Sequence, residues 1–240
     1  EPFAADLGAR LLGQAGAILE LACGTGIVTR ALALMTPAPI VATDLNAAML
    51  DYARKWVDFP QISWREADAQ ALPFGDATFD VAVCQFGVMF FPDRVLAHRQ
   101  VRRVLREDGR YLFNVWDGLD NNPAVAELHA AVTACFPTDP PLFIARTPYG
   151  YGDPARVRAD AVSAGFTHVQ LETISHQMQT TAADLAIGFC QGSPLRNEIV
   201  ARDPDGLSRV TEAVETALAS QFGNGTFSAP FQAHLVTARR

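Results

Sequence analysis

The chain has 240 residues, 49% of them hydrophobic, enough to bury one substantial core, and this predicts a single α/β domain over 1–240 rather than two independent ones. With 19 basic against 26 acidic residues the formal charge is -7, which argues against electrostatic capture of nucleic acid. No apolar stretch reaches the ~18 residues of a membrane span, and no charged segment followed by an apolar one opens the chain, so neither an integral membrane segment nor a secretory signal is expected. The sequence begins Glu1-Pro-Phe without a methionine, and a preceding segment is expected.

In chain order, the first element is Ile18-Leu-Glu-Leu-Ala-Cys-Gly-Thr-Gly26. Ile18, Leu19 and Leu21 suit a buried parallel strand, while Gly24 and Gly26 permit backbone angles or close ligand approaches that a Cβ forbids. A helix predicted over Ile27–Met35 aims its N-terminal N–H groups over the turn. An ordinary tight turn between strand and helix is the competing reading of Gly-x-Gly. Ile40-Val-Ala-Thr-Asp-Leu45 predicts a second strand, closed by a carboxylate 24 positions after Glu20. A doubly wound fold hydrogen-bonds a ribose diol there. Asp44 alternatively caps the helix predicted over Ala47–Val57.

Ile62 to Ala69 reads as a third strand and Phe79 to Phe86 as the fourth, the most strand-like run in the chain. A helix over Asp93–Leu105 and a fifth strand over Gly109–Trp116 follow, and the alternation predicts a parallel sheet with right-handed crossovers. From Asp117 to Phe166 the texture changes: Asn121-Asn-Pro123, Pro137, Pro140-Pro141 and Tyr149-Gly-Tyr-Gly152 break a few short helical runs. Residues 118–166 are therefore expected to form a substrate-covering insertion. His168–Ile174 then alternates as a strand, Ala182–Cys190 and Pro194–Phe222 are mainly helical, and 226–239 contain a last strand. Arg99, Arg102, Arg103 and Arg106 fit a solvated helix face better than a basic groove. Cys23, Cys84, Cys135 and Cys190 show no CxxC pairing, so reduced core thiols and a cytoplasmic setting are expected.

Five stretches in order, Leu-Glu-Leu-Ala-Cys-Gly-Thr-Gly, Ala-Thr-Asp-Leu-Asn-Ala-Ala-Met-Leu, Ala-Asp-Ala-Gln-Ala-Leu-Pro-Phe, the fourth strand with its Gly-Val-Met-Phe-Phe-Pro-Asp continuation, and Arg-Val-Leu-Arg-Glu-Asp-Gly-Arg, cover about residues 18–117. Together they resemble the class I S-adenosylmethionine-dependent methyltransferases, in particular the small-molecule group that includes ubiquinone/menaquinone-biosynthesis-like enzymes. The resemblance implies a doubly wound, Rossmann-like, seven-stranded mixed sheet with its last strand antiparallel and a helical insertion after the fifth strand. It also implies S-adenosylmethionine as cofactor, S-adenosylhomocysteine as product, and a small-molecule acceptor methylated at O, N or C by in-line displacement. No protein nucleophile or metal is obligatory, because the sulfonium methyl is already electrophilic.

Carried onto this chain, the family roles put Ala22, Gly24 and Gly26 beside the methionine and ribose portion and Glu20 beneath the turn near the amino acid part. Asp44 would accept both ribose hydroxyls, Leu45 and Met49 would pack on the adenine, and Asp68 with the backbone of Ala69 would meet the adenine amino group. Gln85 would lie where the methyl group meets the acceptor. Each has a plainer reading: Leu45 and Met49 as core, and Asp68 as a cap on a following helix. Gln85 interrupts an apolar run and needs hydrogen-bond partners if buried.

No catalytic residue is assigned. His129 or His176 as a general base ranks below a surface or satisfied-core histidine. Phe86, Phe90, Phe91, Trp116, Phe143, Tyr149 and Tyr151 suit an apolar acceptor pocket and core packing equally. Asp117, Asp120 and Asn121 follow the fifth strand, but Gln85 stands where a metal site would use an acid, so no metal is expected. The fourth strand ends Cys-Gln-Phe-Gly-Val, without the Pro-Pro-aromatic turn of amino-directed nucleic-acid enzymes. A nucleotide-dependent oxidoreductase is disfavoured because Thr29 stands where the dinucleotide fingerprint has its third glycine. A non-catalytic cofactor-binding protein of the same fold remains the principal alternative.

Overall fold

The computed structural model describes residues 2–13 and 16–240. Its strands are β1 (Ile18–Glu20), β2 (Ile40–Asp44), β3 (Ile62–Glu66), β4 (Phe79–Gln85), β5 (Leu105–Trp116), β6 (Thr167–Thr180) and β7 (Phe227–Arg239). They form one seven-stranded mixed sheet in the order β3-β2-β1-β4-β5-β7-β6, with β7 antiparallel, which is the doubly wound Rossmann-like arrangement expected. The helices are α1 (Pro2–Ala9), α2 (Ile27–Met35), α3 (Ala47–Trp56), α4 (Arg94–Val104), α5 (Pro123–Ala134), α6 (Phe143–Arg146), α7 (Pro154–Ser163), α8 (Ala182–Cys190), α9 (Leu195–Arg202) and α10 (Leu207–Phe222). No helix among the described residues is long and apolar enough to cross a membrane.

The chain falls into two compact units. The first comprises Glu1–Val115, Asp153–Ile174 and His234–Arg240, the second Trp116–Gly152 and Ser175–Ala233. Residues 118–166 are thus split, with α7 belonging to the first unit.

Within the first unit, β1 is buried throughout and pairs in parallel with both neighbours, Ile18 lying opposite Ile40 and Val81. Ile18, Ile40, Val81, Val83 and Leu112 pack on one sheet face with Ala4 and Leu7 of α1 and Val28 and Leu32 of α2. Helix α1 was not anticipated. Its short apolar stripe, Phe3 and Leu7 continuing to Leu11, repeats every four residues behind Pro2 at the first helical position, and all three side chains are buried. Helices α3, α4 and α7 start on Asn46, Asp93 and Asp153, whose side chains accept from Ala48, Leu96 and Ala155 N–H groups.

On the opposite sheet face, His98 of α4 packs against Tyr111 and Phe113 of β5, with ring centroids 5.6 and 5.2 Å apart. Both His98 ring nitrogens are buried without a hydrogen-bond partner among the described residues. Burial pulls its pKa down to about 4, partly offset by Asp160. With the folded value below the unfolded one, stability is fully present above about pH 6.5 and drains as pH falls toward 4. His98→Phe is expected to recover about 3 kcal/mol at pH 4. Urea melts of both proteins at pH 7 and 4 check this, and an equal acid loss in the variant refutes it.

The four arginines around α4 are mostly engaged rather than solvated. Arg103 donates to the Phe74 and Leu72 carbonyls at 2.7 and 2.8 Å and to Asp76, Arg102 donates to the Gly165 carbonyl, and Arg106 pairs with Asp80. They clamp loops to the helix. Strand β5 begins at Leu105 rather than Gly109, because Leu105 pairs with Phe79 before an irregularity at Asp108, whose φ is 63°. Strand β6 runs on to Thr180, beyond the expected Ile174. Its second half alternates half-buried Ile174, His176, Met178 and Thr180 with exposed Ser175, Gln177 and Gln179, a polar alternation that hydropathy does not flag.

In the second unit, Asn122 is fully buried and clasps two segments. Its Nδ2 donates to the Asp117, Gly118 and Gln232 carbonyls and its Oδ1 accepts the Gln232 N–H at 2.9 Å. Trp116 stacks on Tyr149 at 5.8 Å, and Phe143, Tyr149 and Tyr151 are buried. For Tyr149, stacking on Trp116 within the unit is the contact observed.

Candidate cofactor site at the strand ends

The loop after β1 is sewn to β2 along its length. Thr43 Oγ1 donates to the Glu20 carbonyl at 2.7 Å, the Cys23 N–H donates to the Thr43 carbonyl at 2.9 Å, and the Gly24 N–H donates to Asp44 Oδ2 at 2.8 Å. Glycine is required where the chain turns: Gly24 and Gly26 have φ of 55° and 85°, in the left-handed region. At Gly26 a Cβ would also lie 3.0 Å from Ala53 and 3.1 Å from Val57. Gly26 is the N-cap of α2, so the helix starts directly behind the turn. Ala22 and Phe86 are left-handed too, with φ of 49° and 55°, and both follow strand ends. Non-glycine residues held this way cost roughly 1–3 kcal/mol each and concentrate at functional sites.

Asp44 does not cap α3, since that cap is Asn46. Its second oxygen, Oδ1, accepts the Asn46 N–H at 2.8 Å, so one carboxylate ties the glycine turn to the entry of α3. Nor is Asp68 a helix cap: it closes a turn, its Oδ1 accepting the Gln70 N–H at 2.8 Å, with Ala69 buried beside it. Leu45 and Met49 are 68% and 41% exposed, which removes the core-packing reading for both.

Glu20 is the electrostatic centre of the region. It is 1% exposed, and burial raises its carboxyl pKa to about 8, with Asp44 adding to the rise and Thr29 opposing it. Thr29 thus supplies polar support to Glu20 from the first turn of α2. Even so, Glu20 Oε2 and Thr29 Oγ1 have no hydrogen-bond partner among the described residues. Cys23 and Cys84 flank the acid, and burial raises both thiols, Cys84 to about 12, so neither supplies a thiolate near neutral pH.

Gln85 ends β4 half-buried, with its Oε1 enclosed and unpartnered. Directly across the strand pair is Asn114, fully buried, whose Oδ1 and Nδ2 also lack partners among the described residues. Sequence reasoning passed over Asn114. The signal was present as an amide inside the apolar run Leu112-Phe-Asn-Val-Trp116. Hydrogen bonds of one turn and its neighbouring strand thus link Glu20, Gly24, Gly26 and Asp44, with Ala22 left-handed within the same turn. Leu45 and Met49 follow β2, Asp68 and Ala69 follow β3, and Gln85 ends β4 in the same sheet.

Further along, Asp117 is heavily used by the protein itself, accepting from Gly118 N, Asn121 Nδ2 and Gln232 Nε2 at 2.7, 3.0 and 2.6 Å. Among the described residues no three His, Cys, Asp or Glu side chains cluster as a metal site would need. His129 is partly buried and its pKa is lowered by that burial. The Nδ1 of His234 is 3.0 Å from Thr173 Oγ1.

Residues 19–113 match a sequence family described as a methyltransferase domain. A demethylmenaquinone methyltransferase of Lactiplantibacillus plantarum is 38% identical over 99 residues, which are 39% of this chain and 42% of that protein. The chain therefore spans less than half the length of that curated relative. Among solved structures, the YcgJ protein of Bacillus subtilis superposes with a TM-score of 0.63 at 16% identity, covering 100% of this chain and 99% of that one. Phosphoethanolamine N-methyltransferase 2 of Haemonchus contortus, solved in complex with S-adenosyl-L-methionine, gives 0.61 at 13% identity, covering 98% and 52%. At such identities the likeness is one of fold.

Proposed function

We propose, from the match of residues 19–113 to a family described as a methyltransferase domain, that the protein transfers the methyl group of S-adenosylmethionine to an O, N or C nucleophile of a small molecule. The carrying observation is the joined turn, in which Gly24 donates to Asp44 above the buried Glu20 carboxyl. That arrangement fits a ligand with a diol at one end and an ammonium at the other. Asp44 retains lone pairs for two ribose hydroxyls, and Ala22, Gly24 and Gly26 let the backbone approach the ligand. Glu20, with an unpartnered oxygen, faces the ammonium. Exposed Leu45 and Met49 clasp the adenine, whose amino group meets Asp68 and the backbone of Ala69. Gln85 stands at the methyl end.

When bound, the cofactor supplies an electrophilic methyl carbon on sulfur, so the chain's own task is to orient it, exclude water and hold an acceptor in line. Acceptor choice is assigned to residues outside the family match, chiefly 118–166. Nucleic acid is not the proposed acceptor, given the net charge of -7 and the engagement of Arg102, Arg103 and Arg106 with other parts of the chain. The four free cysteines suit a reducing, cytoplasmic setting.

Calorimetric titration with S-adenosylmethionine, S-adenosylhomocysteine and NAD(P) tests the reading. Binding of the first two and not of the third is expected. Preference for NAD(P) would overturn it, and cofactor binding with no turnover across a panel of small-molecule acceptors would favour a non-catalytic protein of the same fold.

A further inference from the structure

Polar side chains sit at or near the ends of three adjacent central strands on one face of the sheet. Glu20 lies opposite Val83, while Gln85 is two residues beyond Val83 and opposite Asn114. Side chains two apart share a face. Ile18, Val83 and Leu112, which have the same parity as these three residues, belong to one apolar cluster with α1 and α2. Among the described residues, each of the three carries buried polar atoms without a hydrogen-bond partner: Oε2 of Glu20, Oε1 of Gln85, and Oδ1 and Nδ2 of Asn114.

An unmet buried amide costs about 1–3 kcal/mol. Apolar residues would fill the same space at no such cost, so the row implies a bound molecule that supplies the missing partners. Oxygen atoms dominate it, and their complement is a ligand end carrying positive charge. Sheet order gives the direction: Asp68 follows β3, Asp44 ends β2 and the glycine turn follows β1, so Gln85 and Asn114 lie one and two strands past the turn, away from Asp44.

We propose that Gln85 and Asn114 form an amide pair that reads the sulfonium charge. Gln85 presents its carbonyl oxygen to the methyl-bearing sulfur, and Asn114 is the positioning residue that holds the Gln85 amide from the neighbouring strand through one water. The proposal rests on the reading of the site as one for S-adenosylmethionine. Its chemical consequence is selectivity: a carbonyl oxygen beside the sulfur favours the charged cofactor over the neutral S-adenosylhomocysteine, which helps product leave.

The test is the ratio of dissociation constants for S-adenosylhomocysteine and S-adenosylmethionine, measured by calorimetry on the whole chain and on Asn114→Leu, Gln85→Leu and the double variant. Asn114→Leu is expected to reduce the preference for the charged cofactor about tenfold. Its melting temperature should hold or rise, because the fold loses only orphaned polar atoms. The double variant should lose no more preference than Gln85→Leu, the signature of two residues acting as one unit. Asn114→Ala carries the same expectation for the ratio if the leucine variant does not fold. An unchanged ratio with both nucleosides still bound overturns the amide pair and leaves the site reading intact. Equal loss of both affinities with a lower melting temperature marks a purely structural amide and also overturns it. A wild-type chain that binds neither nucleoside overturns the site reading, and this proposal with it.

Discussion

Asp44→Ala is expected to weaken S-adenosylmethionine binding by two to three orders of magnitude, on the order of 3–4 kcal/mol. The carboxylate is asked to accept two ribose hydroxyls, and hydrogen bonds to a charged group contribute about 1.5–3 kcal/mol each. The same side chain orders the empty site, since its oxygens accept the Gly24 and Asn46 N–H groups at 2.8 Å each. Removal therefore loosens the glycine turn and the entry of α3 as well as deleting the ligand's partner. Asp44→Asn keeps one acceptor oxygen and should lose about tenfold. Calorimetry on both variants decides the matter: affinity for S-adenosylmethionine unchanged in Asp44→Ala would remove Asp44 from the site.

Glu20 should make the empty protein progressively less stable as pH rises. Its folded pKa, raised to about 8 chiefly by burial, lies above the unfolded value of 4.5. Between those values the unfolded chain has released a proton that the folded one keeps, so stability falls with increasing pH and levels off above about 8. The full loss is about 4–5 kcal/mol, as an order of magnitude. Glu20→Gln removes the slope, and urea melts at pH 5 and 8 without ligand should show the variant gaining on the wild type only at the higher pH. Parallel pH dependence of the two proteins would refute it. Bringing an ammonium to the carboxyl favours its ionised form, so binding should also release a proton. Calorimetric enthalpies would then differ between phosphate and Tris at pH 7, and would cease to differ in Glu20→Gln. This slope runs against that of His98, and the two offset each other between about pH 4.5 and 6.5.

Legibility in the sequence followed the length of the physical signal. The turn Cys23–Gly26, the acid ending β2 and the apolar run of β4 were readable because each couples a hydrophobic period to a residue with special backbone or charge requirements. Strand β5 was readable as an element, yet Asn114 within it was not singled out, although the argument applied to Gln85, that a buried amide needs partners, applies to it with greater force. Helix α1 escaped because eight residues carry too few periods to announce a helix, and it is held by Phe3 and Leu7 packing in the first unit. The far half of β6 escaped because its half-buried positions are His176, Met178 and Thr180, residues that mark no face by hydropathy. Whether Asp44 or Asn46 caps α3 turned on two residues of equal capping propensity, and only the hydrogen bond to Ala48 separates them.

The glycine turn has one more neighbour. Trp56, the last residue of α3, donates its indole N–H to the Thr25 carbonyl at 2.9 Å, and the ring of Trp64 lies 3.4 Å from where a Gly26 Cβ would stand. The chain has only three tryptophans. Two of its three indoles therefore lie beside the turn, one through a hydrogen bond and one at the space a Gly26 side chain would enter. The ultraviolet emission of this protein is therefore expected to respond when the turn changes, an optical label that needs no dye or engineered residue.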